Sequence, residues 1–167
     1  FTLTGVPRSR GSIPLEEWRG DGVILPVIHR ESVEFLLASG MPFVNVTAWP
    51  GVPSVGNDNA AIGEMGARHF LERGFRRFAF AGVPNAIYSR QRFEAYRKTV
   101  EAAGFAVEYV ERESHFPNGW SLQADHQPLY GWLERRTGPL AAMGANDNTA
   151  SASMTVARNL GWRIPED

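Results

Sequence analysis

The chain has 167 residues, enough for one ordinary domain or two small lobes with a buried core. Apolar residues make up 43% and charged residues 21%, which excludes a disordered chain, and the absence of cysteine excludes disulfides, thiolate metal sites and a cysteine nucleophile. A formal net charge of −1 excludes a basic surface able to hold a nucleic-acid backbone unaided, so any contact with DNA needs residues outside this chain.

Read in chain order, short apolar runs alternate with longer amphipathic segments. Phe1–Gly5 reads as a short strand, and Gly22–Leu25 as a buried one. Arg30–Ser39 reads as a helix with Val33, Leu36 and Leu37 on one face, closed by Gly40. Phe43–Val46 is the next strand. Ala48–Ser54 carries Pro50, Gly51 and Pro53 and must be a loop. Ala60–Arg73 has Ile62, Met65, Gly66 and His69 at helical spacing, with Gly74 placed to end the helix. Arg77–Ala81 is a strand. Arg90–Ala103 is a helix whose inner face is Phe93, Tyr96, Val100 and Ala103, stopped by Gly104. Phe105–Val110 is a strand. Leu122–Arg135 is helical in pattern, and Pro128 must start, kink or break it. Leu140–Met143 is a strand, and Asn148–Leu160 a helix ending before Gly161. Such alternation predicts an α/β fold with parallel sheets covered by helices on both faces.

The triplet Asn57-Asp58-Asn59 recurs as Asn146-Asp147-Asn148, each time after an apolar stretch and before a helix rich in small residues. Asx side chains there can cap a helix N-terminus, which is the plainest reading. In open α/β sheets, however, ligands bind beyond the carboxyl ends of the strands, where both triplets fall.

Enzyme signatures are missing. The chain has no glycine-rich dinucleotide loop, phosphate-binding lysine loop, zinc-binding helix pair or serine elbow. The histidines His29, His69, His115 and His126 have no metal-ligand spacing. Asp58 and Asp147 could serve as an acid/base pair only if a nucleophile or cofactor accompanied them. Asn45-Val46-Thr47 matches a glycosylation sequon by chance, since it ends a buried strand. No apolar run is long enough to span a bilayer, and the first residues lack the pattern of a signal peptide.

What remains is a set of polar and aromatic residues between strands and helices: Asn45, the two triplets, the Tyr88–Arg92 segment and the His115–Trp120 segment. Sugar sites are built from such residues. Amides, carboxylates and a guanidinium make paired hydrogen bonds to adjacent hydroxyls, and an aromatic face covers the C–H side of the ring. Trp120 can supply that face and Arg92 the rigid fork, although a tryptophan anchor in the core and a solvated helix arginine are the ordinary alternatives.

Gly66-Ala67-Arg68-His69-Phe70-Leu71-Glu72-Arg73-Gly74-Phe75, following Asn57-Asp58-Asn59 and leading into Phe78-Ala79-Phe80-Ala81-Gly82, resembles the LacI/GalR effector-binding domain. Arg92-Phe93-Glu94-Ala95-Tyr96, Gly144-Ala145-Asn146-Asp147 and Leu160-Gly161 followed by Ile164-Pro165-Glu166-Asp167 match further elements of that family in order. A narrower resemblance is to the xylose operon regulators, in which a LacI-like sensor precedes an AraC-type DNA-binding domain. It is carried by Trp18–Ile24, Arg77–Phe80 and the region of Trp120, Trp132 and Leu133.

The resemblance implies a two-lobed, periplasmic-binding-protein-like fold, with residues 1–57 in an N-terminal lobe and 58–167 in a C-terminal lobe. It implies Arg92, Asn146 and Trp120 as sugar-binding residues. Asn57, Asp58 and Asp147 would line the cleft, and Asn45 would stand where some members carry an aspartate. Arg92 is expected to serve the ligand and not the core. The implied protein is a cytoplasmic sugar sensor and not an enzyme, with no cofactor and no bound metal. Its partners would be D-xylose or a similar sugar, a second copy of itself, and DNA through a domain absent from these residues. The family's first strand and helix would precede Phe1, and a strand ending in an acidic sugar-binding pair would follow Asp167. A periplasmic sugar-binding protein of a transport system is the alternative that shares the fold.

Overall fold

The structure, a computed structural model, describes residues 20–26, 30–47, 49–111 and 127–166. The strand expected at Phe1–Gly5 lies outside them. The chain divides into two compact units, the boundary falling between Asn57 and Asp58.

In the first unit, β1 (Val23–Leu25) and β2 (Phe43–Asn45) pair in parallel, with α1 (Arg30–Ser39) between them in sequence. Leu25, Val33 and Leu36 are buried together against Val23, Phe43, Trp49 and Val52. Gly40 ends α1 at φ 66°, a conformation open to glycine without strain. Leu37, read as sharing a face with Val33 and Leu36, is 57% exposed. One residue past Leu36 is a turn of about 100° around the helix, which carries its side chain off a stripe made by Val33 and Leu36.

The second unit holds α2 (Asn59–Glu72), β3 (Phe78–Gly82), α3 (Ile87–Ala102), β4 (Val107–Glu111), α4 (Gln127–Leu133), β5 (Ala141–Gly144) and α5 (Asp147–Asn159). Its sheet has the order β4-β3-β5, and every pairing is parallel. The α/β class with parallel sheets is therefore as expected.

The central strand β3 is buried from end to end. Its alternation sorts the two faces. Phe78 and Phe80 point to one side, where they pack with Ala67 of α2 and with Tyr96 and Val100 of α3. Ala79 and Ala81 point to the other, where Leu129, Trp132 and Leu133 of α4 meet Ala152, Val156 and Ala157 of α5. Large rings on one face and methyl groups on the other set how far each helix layer stands from the sheet.

Pro128 is the second of the described residues of α4, and the part of the expected helix from Leu122 to His126 lies outside the described residues. Arg136, just past that helix, pairs with Glu108 of β4 and lies over the Trp132 ring, holding α4 to the sheet.

Helix α2 faces inward with small residues. Its buried positions are Asn59, Gly63 and Ala67, four apart, whereas Met65 is 65% exposed and His69 is exposed. The buried stripe is thus not the one that carries Met65 and His69, because α2 approaches α3 too closely there to admit large side chains. A Cβ on Gly63 would collide with the carbonyl oxygen of Arg92 and lie 3.0 Å from the Tyr96 nitrogen. Gly63→Ala is thus expected to destabilise the protein by about 1–3 kcal/mol, outweighing the better helix propensity of alanine. Urea unfolding checks this, and an increase in the midpoint would mean that the two helices can part without loss.

Candidate functional site

Parallel strands deliver their carboxyl ends to helix N-termini on one side of the sheet. In the second unit this places the starts of α2, α3 and α5 beyond β3 and β5. The two Asx triplets meet the demand of those helices for caps in different ways. In the first, the middle residue caps: Asp58 is extended and its carboxylate accepts from the Ala61 N–H at 2.9 Å. That leaves Asn59, the first residue of α2, turned inward with only 6% of its surface exposed. In the second, the leading residue caps: the side-chain oxygen Oδ1 of Asn146 accepts from the Thr149 N–H at 2.9 Å and from its hydroxyl at 3.0 Å. Asp147 follows in the first turn of α5, exposed, where a negative charge suits the helix dipole.

Arg92, in the second turn of α3, joins these elements. Its Nε donates to Asn59 Oδ1 at 3.0 Å and its Nη1 to the Ala145 carbonyl at 2.7 Å. Its guanidinium carbon stands 5.2 Å from the centre of the Tyr88 ring, in cation–π range. Asn59 Nδ2 donates to Gln91 Oε1 at 2.9 Å, and Asn146 Nδ2 donates to the Tyr88 hydroxyl at 2.8 Å. Below this group, the buried Ser89 hydroxyl accepts from the Val83 N–H at 2.9 Å and fixes the turn from β3 into α3.

Arg92 and Asn146, singled out from sequence, are therefore brought together, and Asp58 and Asp147 stand at the neighbouring helix starts. Arg92 is not reserved for a ligand, contrary to expectation. Two of its nitrogens hold the protein itself, because the start of α2 and the loop after β5 each present an oxygen that would otherwise lack a donor. Sequence reasoning marked the segment from Tyr88 to Arg92 but did not select Tyr88, Asn59 or Gln91. The helical spacing of Tyr88 and Arg92, four apart on α3, was the available signal.

After these bonds, donors of three side chains at the surface of the cluster remain open among the described residues. They are Nη2 of Arg92, the Tyr88 O–H and the second N–H of Asn146. All lie on half-buried side chains at one end of the sheet. Such a surface suits a ligand rich in oxygen lone pairs.

The remaining candidates fall elsewhere. Asn45 belongs to the first unit and is fully buried. Its Oδ1 accepts from the Thr47 N–H at 3.0 Å and hydroxyl at 2.9 Å, and its Nδ2 donates to the Thr47 carbonyl, so the side chain shapes its own turn. Asn57 is exposed. Trp120 lies outside the described residues, as do His29, His115 and His126. His69 meets Phe70 edge-on at 5.4 Å on the surface of α2.

On the same face as Arg92, the Tyr109 ring packs 4.5 Å from Phe93. Partial burial, then the adjacent Glu111 carboxylate, push its phenol up to about 12. Burial alone raises that of Tyr96. Neither phenol ionises near neutrality. Among the described residues no three His, Cys, Asp or Glu side chains are grouped to hold a metal, and no helix is long and apolar enough to cross a membrane.

Comparison with known proteins adds three findings. Residues 67–167 match the family described as periplasmic binding protein-like domain. The chain is 26% identical over 162 residues to the xylose operon regulatory protein of Escherichia coli K12, covering 91% of this chain and 41% of that protein. It is 30% identical over 155 residues to the HTH-type transcriptional regulator CelR of Thermobifida fusca, covering 88% and 45%. The chain thus spans less than half the length of either curated relative, and both are named as regulators, not enzymes. A solved LacI family transcriptional regulator from Mycobacterium smegmatis superposes with a TM-score of 0.73 at 29% identity, covering 91% of this chain and 57% of that one.

Proposed function

Since the chain belongs to the periplasmic binding protein-like domain family, we infer that it is the sugar-sensing part of a bacterial transcription regulator of the LacI type. The observation that carries this reading is the cluster of free donors on Arg92, Tyr88 and Asn146, gathered at the carboxyl ends of β3 and β5. The likeness to the xylose operon regulatory protein supports a pentose, with D-xylose as the first candidate.

In this reading residues 1–57 belong to an N-terminal lobe and those from 58 onward to a C-terminal lobe. The ligand lies against the Arg92 cluster, beside the helix starts that carry Asp58 and Asp147. Asn45 then acts only by shaping its loop. The module does no catalysis. It works in the cytoplasm as part of a homodimer, and a DNA-binding domain elsewhere in the protein contacts the operator. Sugar transmits a signal by favouring one lobe arrangement over the other, and the coupling equals its difference in affinity for the two. A transport-type binding protein shares the family, but the regulators among the relatives favour sensing.

Calorimetric titration of the full-length protein with D-xylose, D-glucose and L-arabinose tests the reading. D-xylose is expected to bind most tightly. Failure of every sugar to bind a folded protein would overturn the sensor assignment.

A further inference from the structure

We propose that Tyr88 is a positioning residue that locks Arg92 and Asn146 into a single geometry for the ligand; this rests on the sugar-site reading above. The two side chains come from different elements, α3 and the loop after β5, and no hydrogen bond joins them directly. Tyr88 touches both. Its hydroxyl oxygen accepts from Asn146 Nδ2 at 2.8 Å, and its ring lies under the Arg92 guanidinium at 5.2 Å.

Each end is also held from behind. Arg92 is held by Asn59 and the Ala145 carbonyl, and Asn146 by Thr149. The Tyr88 hydroxyl keeps its own proton for donation because it accepts from Asn146. Three donors from three residues are thus presented as a unit. Prior alignment of donors raises affinity by removing the ordering that binding would otherwise require.

The consequence is a coupling between Tyr88 and Asn146 that can be measured with and without sugar. Tyr88→Phe keeps the ring under Arg92 and removes the hydroxyl, which is both the acceptor for Asn146 and a donor open to the ligand. Asn146→Ser removes the amide and keeps a good helix cap for α5. The two single variants and the double variant are made in the full-length protein. In thermal unfolding without ligand, the double variant is expected to lose no more than the larger single loss, and strictly additive losses would overturn the proposal. In titrations with D-xylose, Tyr88→Phe is expected to weaken binding about 3- to 10-fold, and by a clearly smaller factor in the Asn146→Ser background; an equal factor in both backgrounds would make Tyr88 a direct donor only and overturn the positioning role. Tyr88→Leu, which also withdraws the ring from Arg92, should weaken binding more. Unchanged affinity in Tyr88→Phe would overturn the positioning role. A parent protein that binds no sugar would instead overturn the sensor reading, while the ligand-free comparison still decides whether Tyr88 couples the two side chains.

Discussion

Replacing Arg92 by alanine is expected to weaken sugar binding by roughly ten- to hundredfold and to lower the unfolding free energy by about 1–3 kcal/mol. The first effect follows from losing a charged donor, worth about 1.5–3 kcal/mol when buried against its acceptor. The second follows from what the guanidinium does without ligand. Its removal leaves Oδ1 of the buried Asn59 and the Ala145 carbonyl without their donor. A buried acceptor left unpaired costs about 1–3 kcal/mol. Arg92→Lys is expected to recover little of either effect, because a single ammonium cannot reproduce two diverging N–H groups while lying flat on the Tyr88 ring. Titration well below the melting temperature separates loss of affinity from loss of fold. A variant that melts like the parent would show that the Asn59 and Ala145 bonds contribute nothing net. A variant that binds like the parent would remove Arg92 from the site.

Phe80→Ala is expected to cost about 3–5 kcal/mol, a large share of the 5–15 kcal/mol typical of a whole domain. Phe80 is fully buried at the middle of the central strand. Its ring centre lies 5.4 Å from that of Phe93, 5.7 Å from Tyr96 and 6.3 Å from Tyr109. No neighbour can collapse into the space left, since each of these rings is tied to its own helix or strand. Phe93 and Tyr96 flank Arg92 on α3, so a cavity here also loosens the element that carries the guanidinium. Phe80→Leu retains most of the volume and should lose less. Urea unfolding measures both, and a loss under about 1 kcal/mol in Phe80→Ala would mean that the layer is packed by other residues.

The order and class of the elements were legible because hydrophobic period and turn chemistry are local properties. The helix read over Arg30–Ser39 ends where its pattern predicts, and Gly40, Gly74, Gly104 and Gly161 follow their helices at positive φ. The strand read as Arg77–Ala81 forms one residue later, as Phe78–Gly82. Inner faces were less legible. Leu37 and Met65 have the composition of core residues and are exposed, because what lies opposite a helix decides which stripe is buried.

For the candidate site, the sequence by itself determined which chemistry is present. Asx triplets before helices, an arginine early in α3 and the family resemblance all pointed to the carboxyl end of a parallel sheet. Only the tertiary structure decided what each side chain does there. It separated Asp58, a cap, from Asn59, a buried brace, although both stand in one triplet. It turned Asn45 onto Thr47, two residues away in its own loop, and revealed Tyr88 between Arg92 and Asn146. The physical reason is that hydrogen bonds between residues 33 and 58 positions apart depend on where the sheet brings their helices, and no local pattern encodes that meeting.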